Sequence, residues 1–101
     1  MSQNGQHVIW ITTRTITPGT LEEFRQAWKP KAFPDGMLHA YEGDGTDRSD
    51  IVGIAIFESR QSLDEYRLSE VEAERREAMA PYVETESSVV YDGRELEIPR
   101  S

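Results

Sequence analysis

The stretch Asp50–Ser59, DIVGIAIFES, limits the fold of this chain more than any other. Val52, Ile54 and Ile56 fall on one side of an extended chain, and Gly53, Ala55 and Phe57 fall on the other. A run that is apolar on both sides reads as a central strand covered twice. The two sides are nevertheless unlike. One is uniformly β-branched and suited to close packing, whereas the other is mostly small and ends in one aromatic ring. Small side chains leave room above a sheet. The first side therefore reads as a packing surface and the second as the floor of a pocket.

The remaining segments supply partners for that strand. His7–Ile16 alternates, with Ile9, Ile11, Thr13 and Thr15 on one side and Val8, Trp10, Thr12 and Arg14 on the other. Thr17-Pro18 reads as a helix cap with proline in the first turn, and Thr20 with Glu23 has capping-box spacing three residues later. Leu21, Phe24 and Trp28 share one helical stripe, and Pro30 closes it. Pro34-Asp35-Gly36 is a turn before a short strand at Met37–Glu42. The polar connector Gly43–Ser49 makes that strand an antiparallel neighbour of the central one. Ser59 and Ser62 are both candidate caps for a helix expected to run to about Met79, with a patchy stripe of Leu63, Tyr66, Val71, Ala78 and Met79. Pro81 ends it. A last strand covers Tyr82–Asp92, and Asp92-Gly93 is expected to turn the chain into a polar tail.

The order strand, helix, strand, strand, helix, strand defines an α+β, ferredoxin-like βαββαβ domain. Right-handed crossovers put both helices on one face of a four-stranded antiparallel sheet. Residues 1–6 read as a disordered or extended lead, 7–92 as the folded domain and 93–101 as a tail. The other face of the sheet would carry Ile9, Ile11, Val52, Ile54 and Ile56, joined by Leu38 and Ala40. Each such aliphatic side chain is worth roughly 1.5–3 kcal/mol when fully buried, so a cover is expected. A second copy of the chain is the simplest one: a homodimer, sheet against sheet, with the helices outside.

Composition narrows the partners. Nineteen acids against 11 Lys and Arg give a formal net charge of −8 over 101 residues, which argues against nucleic acid and against an anionic membrane surface. No apolar run approaches the roughly 20 residues that span a bilayer. The opening MSQNGQ has neither a basic start nor an apolar stretch, so no secretory leader is expected and a cytoplasmic location is. With no cysteine there is no disulfide, thiol nucleophile or thiolate metal site. Asp44, Asp47 and Asp50 lie around a glycine, but that loop lacks the terminal bidentate Glu and has the wrong length for calcium. No histidine–carboxylate cluster suggests zinc or iron, and neither metal nor cofactor is expected.

The chain resembles the antibiotic biosynthesis monooxygenase-like domains of the dimeric α/β-barrel superfamily. Pro18-Gly19 with Phe24, Pro34-Asp35-Gly36-Met37, Phe57-Glu58-Ser59 leading into Leu63, and Leu68-Ser69-Glu70 carry the resemblance by their order and spacing across residues 7–92. It implies a fold, and a choice among oxygenases that need no metal or flavin, haem-degrading enzymes, decarboxylases, isomerases and members without known chemistry. The cofactor-independent oxygenases use dioxygen on electron-rich aromatic substrates such as anthrones and quinols. The haem-degrading branch resembles this chain in its pocket between sheet and second helix, but where it carries Asn, Trp and His this sequence has Thr12, Phe57 and Arg76. Without that His no axial ligand for iron is evident, so haem degradation is rejected.

Two functions remain. In the first, a dimeric oxygenase-like enzyme binds a small apolar, aromatic or polyketide-type molecule between sheet and helices. His39 is its candidate base and Arg14 its anion holder, with Trp10, Thr12, Phe57, Tyr66 and Arg76 around the substrate. One hairpin register puts Met37, His39 and Tyr41 on the same side. In the second, a non-catalytic module of the same fold fills that space with its own side chains, because aromatic residues between helix and sheet are usually core. The acids of Glu70–Glu77, with Arg75 and Arg76 among them, read as a solvated face.

Overall fold

The computed structural model describes residues 6–45 and 50–99; expectations for residues 1–5, for the hairpin tip 46–49 with Asp47, and for residues 100–101 lie outside the described residues. The elements are β1 (Gln6–Ile16), α1 (Leu21–Trp28), β2 (Met37–Asp44), β3 (Asp50–Phe57), α2 (Arg60–Arg67), α3 (Glu70–Met79), a 3-10 turn at Ala80–Tyr82, and β4 (Val83–Arg94). The strands form one antiparallel sheet in the order β2-β3-β1-β4, so β3 and β1 are its inner pair. This is the ferredoxin-like α+β arrangement.

Residues paired across neighbouring strands share a face of the sheet. Val8, Trp10, Thr12 and Arg14 of β1 lie opposite Phe57, Ala55, Gly53 and Ile51 of β3, and this face is buried under the helices. The opposite face carries Ile9 and Ile11, paired with Ile56 and Ile54 on one flank and with Tyr91 and Val89 on the other. The two unlike sides of β3 are therefore turned as its sequence requires: small residues beneath the helices, β-branched residues away from them.

Strand β2 departs from expectation. Met37 pairs with Phe57, but His39, two residues on, pairs with the adjacent Ile56, so Leu38 is the extra residue of a β-bulge. Beyond the bulge Ala40 faces the helices opposite Ala55, whereas His39 and Tyr41 lie on the outer face opposite Ile56 and Ile54. The expected placement of His39 and Tyr41 on the helix side, and of Ala40 on the outer side, is thereby corrected. One inserted residue inverts every position after it.

The helix boundaries also shift. Thr20 N–H donates to Thr17 O at 3.1 Å across Pro18 and Gly19, with Gly19 at φ 85°. Proline second and a left-handed glycine third make this a type II turn. Thr17-Pro18 is thus a turn and not a cap, and the Thr20 hydroxyl donates back to Thr17 O at 2.7 Å instead of capping α1. The single long second helix is in fact two. Ser59 caps α2, accepting from Ser62 N–H at 3.1 Å. Ser69 then donates to Tyr66 O at 2.7 Å and accepts from Glu72 N–H at 3.2 Å, closing one helix and capping the next. Strand β4 continues through Asp92-Gly93 to Arg94, because those residues pair with Val8 and His7 and do not turn.

Two apolar clusters result. Val8, Trp10, Phe57, Leu63 and Tyr66 pack under α2; Ile16, Phe24, Ile51 and Met79 pack near α1 and α3. Between them, along the same face of β1, lie the buried polar residues Thr12 and Arg14, with Glu72 of α3 also buried. Ser69→Ala removes both hydrogen bonds at the α2–α3 joint and should lower stability by about 1 kcal/mol, read as an earlier midpoint in urea unfolding with an unchanged slope.

Candidate functional site

The space between helices and sheet is built on Gly53. A Cβ at that position would meet Trp28 Nε1 at 3.3 Å, so the missing side chain lets the indole of Trp28, the last residue of α1, lie down on β3. Trp10 and Tyr66 stand beside it as an edge-to-face pair with centroids 6.3 Å apart. Met37, Phe33 and Arg75 complete the walls, with Gly53 and Ala55 as floor. The free volume left inside is about 40 Å³, room for no more than a few water molecules. Trp28, lying against Gly53, is one of the side chains that narrow it.

Arg75 sets the position of Trp28. Its Nη1 donates to Trp28 O at 2.9 Å, and its guanidinium carbon lies 5.8 Å from the Trp28 ring centroid. The cation thus satisfies a carbonyl at the C-terminus of α1, where the helix dipole favours positive charge. Arg75 also makes a two-point contact with Glu72, Nε to Oε1 at 2.8 Å and Nη2 to Oε2 at 3.2 Å. Their side chains are only 8% and 1% exposed. The expectation that Glu72 and Arg75 belong to a solvated face is wrong. They share a helical stripe with the buried Met79, at offsets of three and seven residues from Glu72, and that stripe was the available signal.

The polar band continues below. Arg14, 2% exposed, gives its Nε to Glu86 at 3.3 Å, and Arg76 reaches the other oxygen of Glu86 at 3.3 Å. Burial lowers the Arg14 pKa, against the opposing pull of Glu86 and with Arg75 adding to the fall. Tyr66 is pushed up to about 12, first by burial and then by the Glu72 carboxylate. Tyr66 is therefore a neutral donor at ordinary pH. Trp10 Nε1 and Arg14 Nη2 are buried without an acceptor among the described residues.

The structure brings together some of the residues singled out from sequence and separates others. Trp10, Thr12 and Tyr66 line the slot. Phe57 is fully buried in the cluster beneath α2 and forms no wall of it. Arg14 lies in the polar band rather than on the slot's surface. Arg76 lines a different cleft, beside β4. His39 is on the far face of the sheet, stacked on Tyr41 with centroids 6.5 Å apart, for the reason given by the bulge at Leu38. Phe33 and Arg75 went unrecognised as wall residues; Phe33 sits in an irregular loop with no periodicity to place it.

No family profile matches the sequence. Nor does any curated protein. Solved structures match over most of the chain. SnoaB, a cofactor-independent oxygenase from Streptomyces nogalater, has a TM-score of 0.78 at 16% identity, covering 90% of this chain and 96% of its own. A protein from Nitrosomonas europaea described as a candidate antibiotic biosynthesis monooxygenase has a TM-score of 0.75 at 15% identity, covering 85% and 97%. A dimeric protein of unknown function and ferredoxin-like fold from Bacteroides fragilis has a TM-score of 0.68 at 14% identity, covering 85% and 95%. The chain has the fold of antibiotic biosynthesis monooxygenase proteins, at identities that speak to fold alone.

Two outcomes follow from the band. Glu72→Gln leaves the Arg75 guanidinium buried beside a neutral amide and should cost about 3 kcal/mol of stability in urea unfolding. Because the folded-state pKa of Tyr66 is raised to about 12, its contribution to stability is full below the ordinary phenol value and is lost as pH climbs through that range. Tyr66→Phe should flatten that alkaline fall; phenolate absorbance of the folded wild type should show a tyrosine titrating at about 12 that is missing from the variant.

Proposed function

We propose that this protein is a homodimeric, cofactor-independent oxygenase of the antibiotic biosynthesis monooxygenase kind, acting on a small aromatic or polyketide-type molecule held between sheet and helices. The observation that carries this reading is the slot itself, a glycine and alanine floor under aromatic walls with a buried guanidinium at its side. A flat ring stacks where Trp28 now lies, once Trp28 and the half-exposed Phe33 move outward. The shared fold with an oxygenase described as cofactor-independent supports the same reading.

In this scheme the substrate enters as its enolate or phenolate, its proton already lost to solvent, and reduces dioxygen itself, one oxygen atom staying on the substrate and the other leaving as water. The chain supplies binding, exclusion of water and charge. Arg75, with Arg14 behind it, favours the anionic substrate by placing positive charge nearby. Tyr66, neutral at working pH, donates a hydrogen bond to the developing oxyanion. His39, on the opposite face of the sheet, has no part in it.

The second copy covers the outer face, where Ile9, Ile11, Val52, Ile54 and Ile56 are joined by the exposed Val89 and Tyr91. The dimeric description of one neighbour supports this cover. No helix among the described residues is long and apolar enough to cross a membrane, and an acidic chain without cysteine suits a cytoplasmic setting.

The small free volume, about 40 Å³, favours a second reading, a non-catalytic dimer whose slot is filled by its own side chains. Oxygen uptake and thermal shift with a panel of anthrones and quinols separate the two. The oxygenase reading expects a raised melting point and uptake that drops about tenfold or more in Tyr66→Phe while His39→Ala keeps the wild-type rate. No shift and no uptake with any member leaves the filled module. Sedimentation tests the dimer independently: wild type should have twice the chain mass and Ile54→Lys the single mass, and a monomeric wild type contradicts it.

A further inference from the structure

A second cleft opens on the other side of Trp10, between the α2–α3 joint and strand β4, with a volume of about 550 Å³. Its walls are Trp10, Arg67, Leu68, Arg76 and Glu86, with Asp64, Glu72 and Ser88 at the margins. Three features mark it as more than a surface groove.

The first is charge. Arg67 and Arg76 line the cleft, and Arg14 and Arg75 lie behind it, bonded to its Glu86 and Glu72. Four guanidinium groups thus meet three carboxylates, Asp64, Glu72 and Glu86, in a chain whose formal net charge is −8. Arg75 and Arg76 neutralise Glu72. Arg67 has no carboxylate partner among the described residues and lies over the Trp10 ring, its guanidinium carbon 5.3 Å from the centroid.

The second is a pair of idle donors. Trp10, 5% exposed, forms the inner wall and has no acceptor for its Nε1–H, and Arg14 has none for Nη2. Buried donors are rarely left without partners, and these two lie on the same face of β1 with Thr12 between them, Trp10 on the wall of the cleft and Arg14 behind it. The third is Glu86 itself. It reaches in from edge strand β4 and holds one oxygen to Arg14 and the other to Arg76, each at 3.3 Å. That is the geometry of a carboxylate seated between two cations. The Trp10 ring and the side chain of Leu68, 87% exposed, give the same cleft an apolar margin.

We propose that this cleft binds a small organic carboxylate with a flat apolar body, its carboxylate held by Arg67 and by the cations that now hold Glu86, and its body against Trp10 and Leu68. The site is separate from the slot over Gly53, with Trp10 as the wall between them, and it does not depend on the oxygenase reading.

Sodium benzoate is the probe and benzamide its neutral control, titrated into the full chain while the two indole N–H resonances are followed by NMR, assigned with Trp28→Phe. Benzoate should shift the Trp10 resonance and leave Trp28 in place, and benzamide should do neither. Arg67→Gln should weaken binding about fivefold or more, and Glu86→Gln should strengthen it several-fold by removing the resident carboxylate. Because Glu86→Gln also alters the Arg14 pair, thermal melts accompany it, and Arg67→Gln, on the surface of α2, carries the test if that variant unfolds. A Trp10 resonance unmoved up to the solubility limit overturns the proposal. So does equal binding of benzamide, an affinity indifferent to Arg67→Gln, or a shift of Trp28 together with Trp10, which marks occupation of the slot instead.

Discussion

The ion pair between Glu72 and Arg75 ties the layers of this protein together. One guanidinium joins α3 to itself through Glu72, to the end of α1 through Trp28 O, and to the sheet through the Trp28 ring resting on Gly53. Taking two charges out of water is costly, and the pair tolerates burial because nearly every lone pair and proton has a partner. The cost also has a consequence for shape. The polar band of Thr12, Arg14 and Glu72 divides the interior into two apolar clusters, one under α2 and one near α1 and α3. The slot lies over that division, where packing gives way to hydrogen bonds.

That geometry explains why the slot is both well formed and nearly full. Gly53 and Ala55 leave a shallow floor, and the nearest large side chain, Trp28, lies down on it. Arg75 then holds the indole from above through its backbone carbonyl and its ring. A ligand that takes the place of the indole must loosen that hold. The proposed oxygenase and the proposed filled module differ only in whether Trp28 leaves, not in the architecture around it.

Much of the fold was legible because the inner strands obey a simple period. β1 alternates cleanly in burial, whereas β3 is apolar on both sides and was placed by the unlike size of its two faces. The order and spacing of short motifs from Pro18-Gly19 to Leu68-Ser69-Glu70 pointed to the same architecture. Three features were hidden for physical reasons. The bulge at Leu38 has neither glycine nor proline to mark it, yet it moves His39 and Tyr41 to the outer face. The break between α2 and α3 rests on one serine serving two helices, a hydrogen-bond pattern that composition does not reveal. The burial of Glu72 and Arg75 was masked by the exposed charges around them, since charged residues are almost never inside unless paired. In the site, Trp10, Thr12 and Tyr66 were found because they follow the strand and helix periods; Phe33 lies in a loop without periodicity, and the stripe that Arg75 shares with Glu72 and Met79 was hidden among exposed charges.

The central claim is that the slot over Gly53 exists to be occupied by something other than Trp28. A crystal structure of the protein grown with a saturating tricyclic quinone tests it most directly. The account predicts a flat ring stacked over Gly53 and Ala55, with Trp28 swung outward and the Arg75 contact to its carbonyl altered. Trp28 still lying on Gly53, with no ligand beneath the helices at saturation, would contradict it.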